Sequence, residues 1–173
     1  MCVLSRVPLL SSPLEVVKRM LEVAEAGPGD MVCDLGCGDG RIPIVAVKDF
    51  KAKEAVGYEI REDVYKNALE EVARTNLQDK IRIINGDFLE ADLSRASVIT
   101  VYLNSLANEK LRLKLEREMS PGTRVVSHDY PMPDWQPLRE DTFQEDDNIH
   151  TIYLYVAPAS FSADKVSHVT KKP

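Results

Sequence analysis

Residues 32–41 run from an apolar segment into a glycine-rich turn, with an acidic residue just before the turn. The run Val-Cys-Asp-Leu-Gly-Cys-Gly-Asp-Gly-Arg places glycines at the alternate positions 36, 38 and 40. Glycines let a backbone turn sharply and approach a ligand closely, and a turn that opens a helix presents free amides to that ligand. The spacing is not the Gly-x-Gly-x-x-Gly of dinucleotide-binding folds, and no Gly-Lys-Ser/Thr of a Walker loop follows. The pattern predicts a nucleotide-type cofactor site of another kind.

Acidic residues also follow the next two predicted strands. Glu59 ends the second predicted strand about 20 residues after the turn, where a carboxylate can accept hydrogen bonds from both hydroxyls of a ribose. The alternative for Glu59 is a solvated residue that opens the next helix, where it would favour the helix dipole. Asn85-Gly86-Asp87-Phe88 follows the third strand, and taken alone it fits a tight turn equally well.

The elements that must position these residues alternate between strands and helices. Helical spacing of apolar residues predicts a first helix over 14–24, with Ser12 as its N-cap and Pro13 after it. Further helices are predicted after Gly40, at 62–75 and at 106–119, and strands at 31–35, 55–59, 81–84, 98–103, 124–128, 142–145 and 149–156. Alternation implies crossovers and a mainly parallel sheet, while the last two strands, joined by residues 146–148, imply an antiparallel hairpin.

Length, charge and cysteine content limit the possible domain organisation and the possible partners. The 173 residues allow one domain, predicted over 1–156, without a separate substrate domain, and 157–173 is predicted to be a flexible tail. A net charge of −6 favours a basic protein partner over nucleic acid. Cys2, Cys33 and Cys37 show no metal-site spacing, so we expect reduced thiols and no bound metal. No signal peptide or membrane span is recognisable, which predicts a cytoplasmic protein without membrane association.

The run from Asp34 to Gly40 resembles the first motif of class I S-adenosylmethionine (SAM) dependent methyltransferases. The resemblance implies a Rossmann-like seven-stranded α/β sheet of order 3-2-1-4-5-7-6, with SAM as cofactor and S-adenosylhomocysteine as its product. It also implies the cofactor-binding residues: Gly36, Cys37, Gly38 and Gly40 at the methionine moiety, Asp34 at its ammonium, Glu59 at the ribose, Asp87 at the adenine amino group and Phe88 on the adenine ring.

A longer pattern resembles the archaeal broad-specificity protein-lysine methyltransferases and their mitochondrial relatives that methylate a lysine of ATP synthase. It comprises Val7-Pro8, Ser12-Pro13, Tyr102-Leu103, Asn108, Leu111, Lys114-Leu115, the run from Gly122 to Asp129, and Trp135. Two departures are Leu9-Leu10-Ser11-Ser12, where an aromatic residue and a Thr are expected, and the lack of a mitochondrial leader. The Asn/Asp-Pro-Pro-Tyr/Phe motif usual in small nucleic-acid amine methyltransferases is absent after the fourth strand. The resemblance implies methyl transfer to lysine amines of basic proteins.

Tyr102 and Asn104, at the carboxyl end of the fourth predicted strand, are the candidate catalytic residues that orient the lysine amine. The alternatives are a half-buried strand aromatic for Tyr102 and a helix N-cap for Asn104. His128 is either a proton acceptor or a hydrogen-bonded structural histidine, and Trp135 either walls the substrate site or closes the core. Two other functions stay open at this point: a methyltransferase of RNA or small molecules, and a SAM-binding protein without catalysis.

Overall fold

The computed structural model describes residues 11–161, which form seven strands and four α-helices. In chain order the elements are α1 (Leu14–Val23), β1 (Met31–Leu35), α2 (Arg41–Lys48), β2 (Glu54–Glu59), α3 (Glu62–Thr75), β3 (Ile81–Asn85), a 3-10 turn (Phe88–Glu90), β4 (Val98–Val101), α4 (Ser105–Glu118), β5 (Arg124–His128), β6 (Arg139–Glu145) and β7 (Asn148–Val156). No helix in this part of the chain is long and apolar enough to cross a membrane.

The strands form one sheet of order β3-β2-β1-β4-β5-β7-β6, which confirms the predicted order. The five strands from β1 to β5 pair in parallel, whereas β7 pairs antiparallel with both β5 and β6. The order reverses at β1, which lies between β2 and β4, and such a switch point is where open α/β sheets bind ligands.

Two strand boundaries differ from the sequence prediction by more than one residue. β4 ends at Val101 rather than at residue 103, because the chain leaves the sheet to reach Asn104, the N-cap of α4. β6 begins at Arg139 rather than at residue 142, since its backbone pairs with β7 from the Arg139–Leu154 pair onward. The first residues of β6 are polar and exposed at the sheet edge, so apolar alternation gives no signal for them.

Apolar side chains cover both faces of the sheet. On one face, Val16 and Met20 of α1 pack in the same cluster as residues of α2 and α3. On the other, Leu111 and Leu115 of α4 pack with Trp135 and residues of β1, β4 and β5. Successive strand residues point to opposite faces, so Val32 belongs to the first cluster and Cys33 to the second. This packing fixes the carboxyl ends of the parallel strands.

The two ends of the described chain correct one prediction and leave others open. Pro13, not Ser12, is the N-cap of α1, and no side chain caps this helix. Cys2, Val7-Pro8 and Leu9-Leu10 lie outside the described residues. At the other end, Phe161 is 6% exposed and stacks on Trp135 at a ring distance of 4.8 Å. The packed part of the chain therefore reaches residue 161, and the rest of the predicted tail lies outside the described residues.

Candidate active site

The glycine turn that links β1 to α2 has the backbone geometry that its sequence predicts. Gly36, Gly38 and Gly40 have φ angles of +87°, +55° and +81°, a region that favours glycine. The amides of Gly36 and Cys37 both donate to the carbonyl oxygen of Tyr58 at 2.9 Å. The turn is therefore fixed to the end of β2, at the switch point of the sheet.

Gly57 of β2 is a site residue that the sequence reasoning missed. A Cβ atom at this position would stand 2.7 Å from the Cys37 sulfur and 2.8 Å from the Cys37 Cβ. Only glycine at position 57 lets the turn lie this close to β2, because real Cβ atoms do not tolerate such contacts. A glycine inside a predicted strand often marks a close backbone approach, and that signal was present in the sequence.

Asp34 carries a buried carboxylate oxygen that no other described group satisfies. The side chain of Asp34 is 2% exposed, and the Thr100 hydroxyl donates to its Oδ1 at 2.8 Å. Its Oδ2 has no hydrogen-bond partner within residues 11–161. Burial raises the pKa of Asp34 to about 7, and the Thr100 hydrogen bond opposes that rise. An incoming cation would satisfy Oδ2 and favour the ionised carboxylate.

A small, open cleft lies beside Asp34. Its wall includes Asp34, Tyr102 and Ser12, together with the glycine turn residues Gly36, Cys37 and Gly38. The Arg41 guanidinium donates to the Ser12 carbonyl oxygen at 2.9 Å, which holds the chain before α1 against this cleft. Charged side chains also line the cleft: Asp34, Asp39 and Arg41. It suits the ammonium-bearing end of a small cofactor.

Glu59 is buried at the end of β2 and is bonded to the turn. Its Oε2 accepts from the Gly38 amide at 3.1 Å, and its Oε1 accepts from the Arg61 amide at 2.8 Å. The side chain is 6% exposed, so it is not the solvated helix-opening residue of the alternative reading. Each carboxylate oxygen can accept a second hydrogen bond, which keeps Glu59 available to the hydroxyls of a ribose. That contact stays a prediction.

Asp87 and Phe88 follow β3 at the same sheet edge but differ in exposure. Asp87 is half-buried, and its side chain accepts from the Leu89 amide at 2.9 Å, which starts the 3-10 turn. Phe88 is 7% exposed and belongs to the apolar cluster that contains Leu35. The adenine contacts predicted for these two residues stay predictions. The Phe88 ring also packs in the apolar core, so it has a structural role whether or not it contacts adenine.

Tyr102 and Asn104 lie just beyond β4, at the carboxyl edge of the sheet, whereas the sequence places Tyr102 within the fourth strand. The Tyr102 ring stacks on His128 with ring centroids 4.0 Å apart, and partial burial raises the pKa of its hydroxyl. The Asn104 side chain accepts from the Ala107 amide at 3.0 Å, so Asn104 is the N-cap of α4. Tyr102 borders the cleft and is available to a substrate, whereas the side-chain oxygen of Asn104 is engaged by its own helix.

His128 is a fully buried, hydrogen-bonded histidine. Its Nδ1 lies 2.8 Å from the Ser12 hydroxyl and its Nε2 lies 2.9 Å from Nδ1 of His150. Burial lowers the pKa of His128 to about 4, although Asp129 opposes that change, so the ring is neutral at pH 7. The Ser12 side chain, expected to cap α1, is instead used for this contact across the cleft.

Trp135, Cys33 and Cys37 are buried in the interior of the domain. Trp135 is 4% exposed and donates from Nε1 to Glu116 at 3.0 Å, so it closes the core. Burial raises the pKa of the Cys33 thiol to about 12 and that of Cys37 well above its usual value. Both are free, protonated thiols, in agreement with the expectation of reduced cysteines and of Cys37 as a small turn residue.

Comparison with known proteins identifies the relatives of this chain. Residues 34–139 match the family model of the ANTKMT methyltransferase domain. The chain is 47% identical over 151 residues to a protein-lysine N-methyltransferase of Saccharolobus islandicus, covering 87% of this chain and 93% of that protein. It is 26% identical over 165 residues to an ATP synthase lysine N-methyltransferase of Xenopus laevis, covering 95% of this chain and 70% of that protein.

A solved structure extends the comparison to the fold. The crystal structure of an RNA methyltransferase from Salinibacter ruber in complex with S-adenosyl-L-homocysteine superposes with a TM-score of 0.82. The two chains share 40% sequence identity, and the match covers 90% of this chain and 98% of the other. The buried, unsatisfied oxygen of Asp34 beside a glycine turn fits the ammonium end of such a cofactor.

Proposed function

This chain belongs to the family of ANTKMT methyltransferase domains, and we propose that it transfers the methyl group of SAM to the side-chain amine of lysine in proteins. The observation that carries the choice of acceptor is 47% identity to a protein-lysine N-methyltransferase along 93% of that protein's length. The dependence on SAM follows from the family and from the structural neighbour that binds S-adenosyl-L-homocysteine.

The residues that would hold SAM lie along the carboxyl edge of β1, β2 and β3. Asp34 would accept from the ammonium of the methionine moiety, which the glycine turn of Gly36, Cys37, Gly38 and Gly40 approaches. Glu59 would accept from the ribose hydroxyls, and Asp87 with Phe88 would border the adenine. When bound, SAM supplies a methyl group on a positively charged sulfur. The chain has to bring a neutral amine in line with that methyl group.

The acceptor lysine must lose a proton before it can attack. A free lysine side chain has a pKa of about 10.4, and partial desolvation lowers that value. The half-buried Tyr102, which stacks on His128 and borders the cleft, offers a surface at which the amine is partly removed from water. We propose that the Tyr102 hydroxyl orients the amine, and that Asn104 fixes the start of α4 beside it. Alignment of the amine nitrogen at about 3–3.5 Å from the methyl carbon would then supply most of the rate enhancement.

A broad range of protein substrates fits this geometry. Within residues 11–161 the chain forms the sheet, its helices and their connections, with no further domain over the cleft. A site of this kind admits lysines on surfaces of different shape. The net charge of −6 favours lysine-rich, basic proteins as substrates over nucleic acid.

RNA is the second candidate acceptor, since the Salinibacter ruber neighbour is an RNA methyltransferase at 40% identity. One labelling experiment separates protein lysine from RNA as the acceptor. Purified protein is incubated with methyl-labelled SAM and a mixed cell lysate, with and without nuclease, and labelled proteins are analysed by mass spectrometry. The Asp34→Asn variant serves as the matched control for label that the enzyme does not transfer.

Methyl-lysine on several basic proteins, insensitive to nuclease and absent with Asp34→Asn, is the expected result. Label confined to nuclease-sensitive or small-molecule fractions would mean that the enzyme methylates RNA or a small molecule instead of protein lysine. Absence of any label, with S-adenosylhomocysteine binding intact, would identify a cofactor-binding protein without catalysis.

A further inference from the structure

Two histidines and an aspartate meet next to the cleft, at the antiparallel side of the sheet. His128 ends β5, Asp129 follows it, and His150 lies on β7. The Nε2 atom of His128 is 2.9 Å from Nδ1 of His150 and 3.2 Å from Oδ2 of Asp129. The remaining side of this triangle, from Nδ1 of His150 to Oδ2 of Asp129, is 3.4 Å.

These separations match those between neighbouring ligands of one metal ion. Nitrogen and oxygen ligands lie about 2.0–2.2 Å from a zinc ion, which places adjacent ligand atoms about 2.8–3.6 Å apart in tetrahedral or octahedral geometry. All three sides of the triangle fall in that range. Two imidazoles and one carboxylate are also a donor set that divalent transition metals prefer.

The outer atoms of the three side chains have polar neighbours of the kind that support metal ligands. The Ser12 hydroxyl lies 2.8 Å from Nδ1 of His128, and the Thr151 amide donates to Oδ1 of Asp129 at 2.9 Å. Nε2 of His150 is buried without a hydrogen bond, and Oε2 of Glu145 lies 3.7 Å from it. Metal-binding histidines usually donate their second ring N–H to such groups, which fixes the ring orientation.

We propose that His128, Asp129 and His150 bind one divalent transition-metal ion, with Ser12 and Glu145 orienting the two imidazoles. His128 is inaccessible to solvent, whereas the Asp129 side chain is 29% exposed and leaves a route for the ion and for a water ligand. Because Tyr102 stacks on His128, an ion here joins β5 and β7 to the wall of the cleft. The positions 128, 129 and 150 form no recognisable spacing motif, so the sequence alone predicts no metal.

The test is titration of tag-free, chelator-treated protein with Co²⁺, followed by visible absorption and calorimetry. We expect one ion per chain, with the d–d bands of a nitrogen- and oxygen-coordinated cobalt. His150→Gln and Asp129→Asn should each weaken binding by about 100-fold or more, and Ser12→Ala by about 10- to 100-fold. His168→Gln is the matched control, since it removes the third histidine of the chain and should leave binding unchanged.

The readout uses the metal alone, so it does not depend on the proposed lysine methylation. Circular dichroism and S-adenosylhomocysteine binding establish that each variant is folded. If His150→Gln does not fold, Asp129→Asn alone tests the loss of a metal ligand. Three results would overturn the site: no cobalt absorption, binding that persists in folded His150→Gln and Asp129→Asn, or a sulfur charge-transfer band that indicates cysteine ligands. In the first two cases the two histidines are only a hydrogen-bonded pair.

Discussion

Asp34 is a buried acid whose ionisation is linked both to stability and to cofactor binding. Its pKa in the folded chain, about 7, lies above the usual 3.8. Between these values the folded chain keeps a proton that the unfolded chain has released. The contribution of Asp34 therefore lowers the free energy of unfolding as pH rises from about 4 to about 7, and it is constant above 7.

Cofactor binding should show the opposite dependence on pH. The ammonium of the ligand favours ionised Asp34, so binding below pH 7 requires release of a proton. We expect the affinity for S-adenosylhomocysteine to rise with pH, by up to about tenfold per unit, and to level off near pH 7. Calorimetry in buffers of different ionisation enthalpy measures both the affinity and the released proton.

Variants at two positions test this assignment. Asp34→Asn should bind the ligand weakly, without the pH-dependent rise. Thr100→Val removes the hydrogen bond that favours the ionised carboxylate, so the rise should shift to higher pH. An affinity that stays level between pH 5.5 and 8 in the unaltered protein would contradict a raised pKa at the binding site.

The Tyr102 hydroxyl is expected to act on the transfer step rather than on cofactor binding. Tyr102→Phe keeps the ring that stacks on His128 and removes only the hydroxyl. Loss of a hydrogen bond to a polar, partly charged amine should reduce kcat by about 10- to 100-fold and leave the Kd for S-adenosylhomocysteine unchanged. Single-turnover methylation of a lysine peptide measures the step, and full turnover by the variant would eliminate a role for the hydroxyl.

At the scale of elements, the close contact between β2 and the glycine turn depends on Gly57. Gly57→Ala would place a methyl group 2.7 Å from the Cys37 sulfur, so the turn has to move away from β2. We expect a loss of about 1–3 kcal/mol in the free energy of unfolding and a marked loss of cofactor affinity. Denaturant unfolding and calorimetry measure the two effects.

Gly29→Ala is the control for this substitution. A Cβ atom at Gly29 would have no neighbour within 4 Å, and its backbone does not require glycine. This variant should bind the cofactor as the unaltered protein does. Equal behaviour of the two variants would mean that the turn does not need its contact with β2.

Asn104 allows a helix cap to be separated from a catalytic side chain. Asn104→Ala removes the acceptor of the Ala107 amide and should cost about 1 kcal/mol of stability. Asn104→Ser keeps a capping oxygen but changes the group that faces a substrate. If Ser restores both stability and kcat, capping explains the residue; if it restores stability alone, the amide itself contributes to transfer.

The sequence predicted the order of elements better than the use of individual polar side chains. Alternating strands and helices, read with the resemblance to class I methyltransferases, led to the observed sheet order. The start of β6 was missed because its pairing lies at an exposed, polar edge. Ser12 was assigned to α1 from local spacing, whereas its hydroxyl contacts His128, 116 positions away. Local patterns do not contain such long-range partners.

At the scale of the whole molecule, the parallel strands bring distant residues to one edge. Asp34, Glu59 and Tyr102 come from three different strand ends, and their grouping follows from the sheet order once β1 is placed between β2 and β4. The cluster of His128 and His150 depends instead on the antiparallel register of β5 with β7, in which His128 pairs with Ile152. That register was not predictable from spacing alone, so neither was the proposed metal site.

The overall charge should affect which proteins the enzyme meets. With a net charge of −6, the chain attracts basic proteins at long range, and salt screens this attraction because the Debye length falls from about 10 Å at 0.1 M to about 3 Å at 1 M. We expect kcat/KM for a lysine-rich protein to fall several-fold as salt increases over this range. An uncharged peptide with a single lysine should change little, which controls for salt effects on the transfer step. If both substrates respond equally, charge does not select the substrates, and recognition has to depend on contacts at the cleft.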